Sequence, residues 1–203
     1  MKPTRPVIPM SDVSAKITPD DIAPTVLPDD FLHSEAAASA LAFRLPRFEE
    51  LPDLPLYREQ VIAYIERALA PLGAVNEGPW LTPSMINNYV KLGLVPAPVK
   101  KLYRREQIAR LMVICIFKQF LPISAIRRLF RMQAVSYPVD VAFDYVATEL
   151  AGALGAAFSP DEQPPADTAT VVTRESLLVR SAVAAFAAKA FLLTYLRFTG
   201  FEG

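Results

Sequence analysis

The sequence predicts a mostly helical protein that carries a short basic hairpin near its middle. Apolar residues make up 52% of the 203 residues, which is enough to fill a core. After residue 55, apolar residues recur at helical spacing through most of the chain. Pro96 and Pro98 interrupt this spacing and exclude a helix over 94–104, a stretch that suits a hairpin instead. The fold class is therefore all-α with a small β wing.

Residues 1–49 are expected to form a poorly ordered N-terminal tail, because their first part is rich in proline and carries scattered acidic residues. A short helix over 34–43, capped by Ser34, is the exception. The N-terminus lacks the apolar stretch of a secretory signal, and we expect a cytoplasmic protein.

Residues 50–131 are expected to form one domain of four helices and a hairpin. Thr82 suits an N-cap, Pro83 suits the first helical position, and Gly93 suits the end of the same helix. The predicted helices lie at 56–70, 83–92 and 105–120 and after Pro122.

Residues 132–203 are expected to form a C-terminal helical region with helices at 138–158 and 171–198. The second helix is apolar nearly all round and must be buried, so a homodimer through 171–198 is expected. Its apolar tract is interrupted by Arg180, Lys189 and Arg197, which argues against a membrane span. Its aromatic residues either pack as core or line a pocket for a small-molecule effector; they are Phe186, Phe191, Tyr195 and Phe198.

Charge is distributed unevenly along the chain, although the formal net charge is zero. Residues 82–131 contain ten basic residues and one acidic residue, Glu106, a net charge of +9. Such a block indicates a surface that meets a polyanion; clustering by chance on a solvated face is the alternative.

Cysteine and histidine occur once each, as Cys115 and His33. An internal disulfide is excluded, a zinc site has too few ligands, and no Cys–His or Ser–His catalytic pair is supported. We therefore expect neither a metal, nor a cofactor, nor an enzyme.

The predicted helix 83–92 carries a polar stripe. Ser84, Asn87, Asn88 and Lys91 stand at i, i+3, i+4 and i+7 and share one face. An Asn amide in the DNA major groove can pair with N6 and N7 of adenine, while lysine and serine suit phosphates or guanine edges. Taken alone, the stripe fits an ordinary solvated face equally well.

The order of elements around this stripe is that of a winged helix-turn-helix. The expected wing, 95–104, places Lys100, Lys101 and Arg104 beside phosphates, with Arg105 directly after it. Tyr103 either packs the wing onto the core or touches the DNA backbone.

The segment from MINNYVK to AIRRLF resembles the DNA-binding domain of MerR-type regulators. The joint pattern of segments 54–60, 85–91 and 96–103 is also similar to an uncharacterised bacterial family known only as a domain of unknown function. The residues at matching MerR positions are Tyr89, Gly93, Leu94, Lys101, Tyr103, Ile108, Arg110, Leu111 and Ile114.

The chain departs from the MerR pattern in two ways. The connection over 71–82 is longer than the usual three- or four-residue turn. Asn87 and Asn88 replace an arginine and an aromatic residue, so phosphate contacts of those family residues do not transfer.

These observations favour a dimeric, sequence-specific regulator that binds double-stranded DNA. Helix 83–92 would read the major groove, and the wing would lie on the backbone. The alternatives are a winged-helix module that binds an acidic protein and an enzyme with a helical pocket, for which no acid–base cluster appears in the sequence.

Overall fold

The computed structural model describes residues 29–159 and 166–200, which are mostly helical and include one two-stranded antiparallel sheet. Two 3-10 segments, Phe48–Glu50 and Ala70–Val75, lie beside the longer elements. The α-helices and strands are α1 Asp29–Leu32, α2 Glu35–Ala42, β1 Leu56–Tyr57, α3 Arg58–Leu69, α4 Pro83–Lys91, β2 Leu102–Tyr103, α5 Arg105–Phe117, α6 Ile123–Ser136, α7 Val139–Phe158 and α8 Arg174–Phe198. All-α with a small β element therefore describes the fold.

Helix α5 forms the centre of the core, because every residue from Gln107 to Phe117 except Arg110 is buried. It contacts α3 on one side and α7 and α8 on the other. Residues 111–117 of this helix, LMVICIF, are apolar on all faces, as expected of a central core helix. It therefore joins the N-terminal helices to the C-terminal pair.

Helices α7 and α8 pack along each other and cover much of each other's apolar surface. In α8 the buried face contains Val183, Phe186 and Ala190. Part of the apolar surface of 171–198 is thus buried by other helices of the same chain. By length and composition alone, both helices could cross a membrane. This is weak evidence for a membrane span, because the core helices of other proteins share these features.

The segment from residue 29 to 49 is part of the fold, which corrects the prediction of a poorly ordered tail for these residues; residues 1–28 lie outside the described part. Ser34 caps α2 as predicted, its Oγ accepting a 3.2 Å hydrogen bond from the backbone N–H of Ala37. The N–H of Phe48 donates to Asp144 Oδ1 at 2.7 Å. These contacts attach the segment to α7.

Phe31 is the residue that anchors α1, since its side chain is 0% exposed. Its ring lies edge-on to the rings of Phe191, at 5.6 Å, and Tyr195, at 5.1 Å. Phe191, Tyr195 and Phe198 therefore pack around Phe31, and Phe186 is buried in the core. This arrangement corresponds to core packing, the first of the two alternatives for these residues.

Candidate nucleic-acid interface

Helix α4 begins and ends where the sequence predicts. Thr82 Oγ1 accepts a 3.2 Å hydrogen bond from Met85 N–H, and Pro83 occupies the first turn. Gly93 ends the helix at a φ of 70°, a conformation that glycine adopts without strain. One face of the helix packs inward through Ile86 and Tyr89, and burial raises the pKa of Tyr89 to about 12.

The opposite face of α4 is open to solvent. Ser84, Asn87, Asn88 and Lys91 are all exposed. Within the described chain, the side chains of the two asparagines and of Lys91 make no hydrogen bond, and Ser84 Oγ lies 3.0 Å from the Thr82 hydroxyl. The stripe expected from the sequence is therefore present, and both amides are available to a ligand.

The long connection between α3 and α4 is fixed by contacts with the neighbouring helices. Leu81 N–H donates to Glu66 Oε1 at 2.9 Å, and Lys118 Nζ donates to the carbonyl oxygen of Trp80 at 2.5 Å. Trp80 itself is 3% exposed. The connection thus holds the start of α4 in place although it exceeds a usual turn in length.

The basic hairpin has a two-residue turn with lysines at both central positions. Val99 and Leu102 pair through two backbone hydrogen bonds of 2.9 and 3.2 Å. Lys100 and Lys101 have φ values of 51° and 66°, the pattern of a type I′ turn, which usually contains Asn and Gly. Both lysines are exposed. Two charged side chains are therefore displayed at a strained tip.

The hairpin is joined to the rest of the chain on both sides. Strand β2 pairs antiparallel with β1, with Leu56 opposite Tyr103. On the other side Gln107 Nε2 donates to the carbonyl oxygens of Pro96 and Ala97, at 3.3 and 3.2 Å.

Gln107 is a positioning residue that sequence reasoning missed. Besides its two donated bonds, its Oε1 accepts a 2.6 Å hydrogen bond from the N–H of Arg104, and its side chain is 6% exposed. The only sequence signal was a glutamine three residues after the N-cap of a helix, a spacing typical of a capping box.

Two of the residues expected at the interface have other roles in the structure. Tyr103 is 4% exposed and packs into the core, which corresponds to the packing alternative for this residue. Arg105 donates to the carbonyl oxygen of Leu51 at 3.0 Å and pairs with Glu49 at 2.7 Å and Asp53 at 3.4 Å. Its charge therefore tethers the segment before β1.

Fewer basic side chains are exposed than the number of basic residues in 82–131 suggests. Lys118 is half-buried against Trp80, and desolvation lowers its pKa. Arg110 is half-buried and pairs with Glu106 at 3.2 Å. The basic side chains of this block that are exposed are Lys91, Lys100, Lys101, Arg104, Arg128 and Arg131.

The described residues contain no group of three or more His, Cys, Asp or Glu side chains that could hold a metal ion. The chemistry available on this surface is hydrogen bonding by amides and attraction by ammonium and guanidinium groups.

Residues 46–145 match the model of a family described as "Domain of unknown function (DUF1836)". The matched range contains α3 to α6 and the hairpin, and it agrees with the resemblance to an uncharacterised family. No curated protein and no solved structure matches the chain.

Proposed function

We propose that this protein is a dimeric, cytoplasmic regulator of transcription that binds double-stranded DNA through a MerR-like winged helix-turn-helix. The observation that carries the proposal is the pair of unpartnered amides, Asn87 and Asn88, on the exposed face of a short, firmly held helix. Asparagine is a weak helix former, so stability alone gives little reason for two of them in the middle of α4.

Asparagine suits the reading of DNA bases for a geometric reason. Its amide has one donor side and one acceptor side, which match N7 and N6 of adenine in the major groove. Ser84 and Lys91, one turn away on either side, can contact phosphates or guanine edges. In this proposal α4 lies in the major groove with this face toward the bases.

The wing supplies contacts that do not depend on sequence. Lys100 and Lys101 stand at the tip of the hairpin, and Arg104 follows at the start of α5, all exposed. Each lysine or arginine beside a phosphate releases counterions, which favours binding on any DNA. Gln107 holds the hairpin against α5, so these charges keep a fixed position relative to α4.

An exposed stripe on α8 supports dimerisation. Leu177, Ser181, Ala184, Ala188 and Leu192 recur every three or four residues and are all exposed. The small residues at its centre allow two helices to approach closely, and the leucines add apolar contact at both ends. A two-fold dimer would place two copies of α4 about one DNA turn, roughly 34–36 Å, apart.

Selection of genomic DNA fragments by the purified protein at about 150 mM salt tests this function. We expect retained fragments to share an inverted repeat with adenines in each half-site. A variant with Asn87→Ala and Asn88→Ala should retain fragments without the shared motif. Retention without a motif by the unaltered protein would contradict the proposal and favour a docking surface for an acidic protein.

A further inference from the structure

A cavity of about 460 Å³ lies between α5, α6, α7 and the start of α8, away from the exposed face of α4. Its size falls in the range of small-molecule sites, about 300–1,000 Å³. Most of its lining is apolar, and the residues that contribute include Val113, Phe117, Leu129, Phe130, Val146 and Val179.

The segment 167–173, of which Ala169, Thr170, Val171 and Thr173 line the cavity, is fixed by polar contacts. Tyr145 Oη donates to Asp167 Oδ1 at 2.9 Å, and the same oxygen accepts a 2.9 Å bond from Ala169 N–H. Glu149, which is 5% exposed, accepts a 3.2 Å bond from Thr168 N–H and pairs with Arg180 at 3.3 Å. Charged and hydrogen-bonded groups behind this segment therefore hold part of the cavity wall in place.

Arg110 is the basic group at the cavity. Its Nε pairs with Glu106 at 3.2 Å, and its guanidinium lies 5.4 Å from the centre of the Phe130 ring. Its Nη atoms make no hydrogen bond within the described residues, although only 15% of the side chain is exposed. No buried side-chain nitrogen or oxygen there lacks a partner, so these Nη atoms keep accessible surface.

The acidic group at the cavity is already engaged. Glu175 is paired with Arg174 at 2.5 Å, and the hydrogen bond from Arg174 lowers the pKa of Glu175. Arg110 is therefore the charged lining residue with donors left over.

We propose that this cavity binds a small molecule with an apolar, ring-containing body and one acidic group, which Arg110 holds. The apolar lining would bury the body, and the two Nη atoms of Arg110 would donate hydrogen bonds to the acidic group in the paired geometry that guanidinium favours. The site is separate from the DNA surface, so it stands whether or not α4 reads bases.

Two fluorescent probes with the same ring system test the proposal on the full chain. Anilinonaphthalene sulfonate carries an anionic group, and N-phenyl-1-naphthylamine lacks it. We expect one bound probe per chain in both cases, with the sulfonate bound about tenfold more tightly because of its charge-assisted hydrogen bonds.

Three variants locate the site. Arg110→Gln should remove the tenfold preference and leave the neutral probe bound. Ala142→Trp, placed in the half-buried lining of α7, should weaken both probes at least about tenfold by filling the cavity. Leu41→Gln, on the exposed face of α2 and outside the cavity lining, is the control and should change neither affinity.

Circular dichroism of each variant checks that it is as helical as the unaltered protein before the probe affinities are compared. Equal affinity of the two probes for the unaltered protein would overturn the acidic-group assignment. Loss of both probes in Leu41→Gln, with Arg110→Gln unaffected, would place binding on the exposed face of α2 and overturn the site.

Discussion

The Oε1 atom of Gln107 accepts a 2.6 Å hydrogen bond from the backbone N–H of Arg104, and this bond joins the first turn of α5 to the base of the basic hairpin. The same side chain donates to the carbonyl of Pro96 on the other arm. A similar glutamine, Gln60, accepts a 2.9 Å hydrogen bond from Tyr57 N–H at the start of α3. Gln60 is exposed, however, and within the described residues its side chain makes no hydrogen bond to the hairpin.

Gln107→Ala should loosen the hairpin. It leaves the N–H of Arg104 and two carbonyls without their partner, which costs about 1–3 kcal/mol of stability. DNA affinity should fall on every sequence while base preference is kept. Urea unfolding and DNA titration by fluorescence anisotropy measure the two effects. Gln60→Ala is the matched control: it removes a capping bond of the same kind, and an equal loss of DNA affinity there would contradict a special role for Gln107.

Replacing Lys100 by Asn and Lys101 by Gly should stabilise the fold while weakening DNA binding. Asn and Gly accept positive φ more readily, and relief of the two strained positions should contribute about 1 kcal/mol or more. Loss of two charges should lower the slope of log affinity against log salt by nearly two units per chain, at about 0.9 per phosphate contact.

The control for this turn replaces both lysines by Gln, which removes the charges and keeps the strain. Its salt slope should fall equally, without the gain in stability. If the slope stays unchanged in both variants, the hairpin does not lie on DNA.

Ala188→Glu should separate the dimer, because it places a carboxylate at the centre of the exposed stripe on α8, next to its own copy. Sedimentation equilibrium of the unaltered chain should give twice the chain mass of 22.4 kDa, and the variant should give the single mass. Ala63→Glu, an exposed position on α3, is the control and should stay dimeric. A monomeric unaltered protein would refute dimerisation through α8.

Alkaline conditions should destabilise the fold through Cys115. Burial raises the pKa of its thiol from 9.0 to about 12, so above pH 9 the unfolded chain loses a proton that the folded chain keeps. Stability therefore falls as pH rises, by about 1.4 kcal/mol from this group between pH 8 and 10.

Lys118 has the opposite effect on stability. Because its pKa is lowered in the folded chain, the folded protein loses this proton at a lower pH than the unfolded chain does, and the contribution of Lys118 to stability rises as the pH approaches 10.5. Cys115→Ala keeps Lys118 and should shrink the pH-dependent loss of stability by about 1.4 kcal/mol, measured by urea unfolding at both pH values. An unchanged loss would mean that the thiol ionises in the folded protein.

Most helices could be predicted from the sequence because local chemistry determines their ends. Thr82, Pro83 and Gly93 define α4, and the polar stripe follows from the helical repeat alone. The hairpin was likewise indicated by Pro96 and Pro98.

Contacts between distant segments could not be predicted from local pattern. Phe31 sits among proline-rich neighbours, and only the fold shows that its ring packs against α8. Arg105 counted as a free charge in the sequence, but its partners Glu49 and Asp53 are more than fifty residues away along the chain. The cavity beside Arg110 could not be predicted for the same reason, because four separate segments of the chain line it.

The measurement that tests base reading by α4 most directly is selection from a randomised duplex library by the unaltered protein and by Asn87→Ala in parallel. We predict a defined motif for the unaltered protein and a loss of preference at an adenine position in each half-site for the variant, with discrimination reduced by about 1–3 kcal/mol. An identical motif with identical discrimination in both proteins would contradict the account, because Asn87 would then face no base.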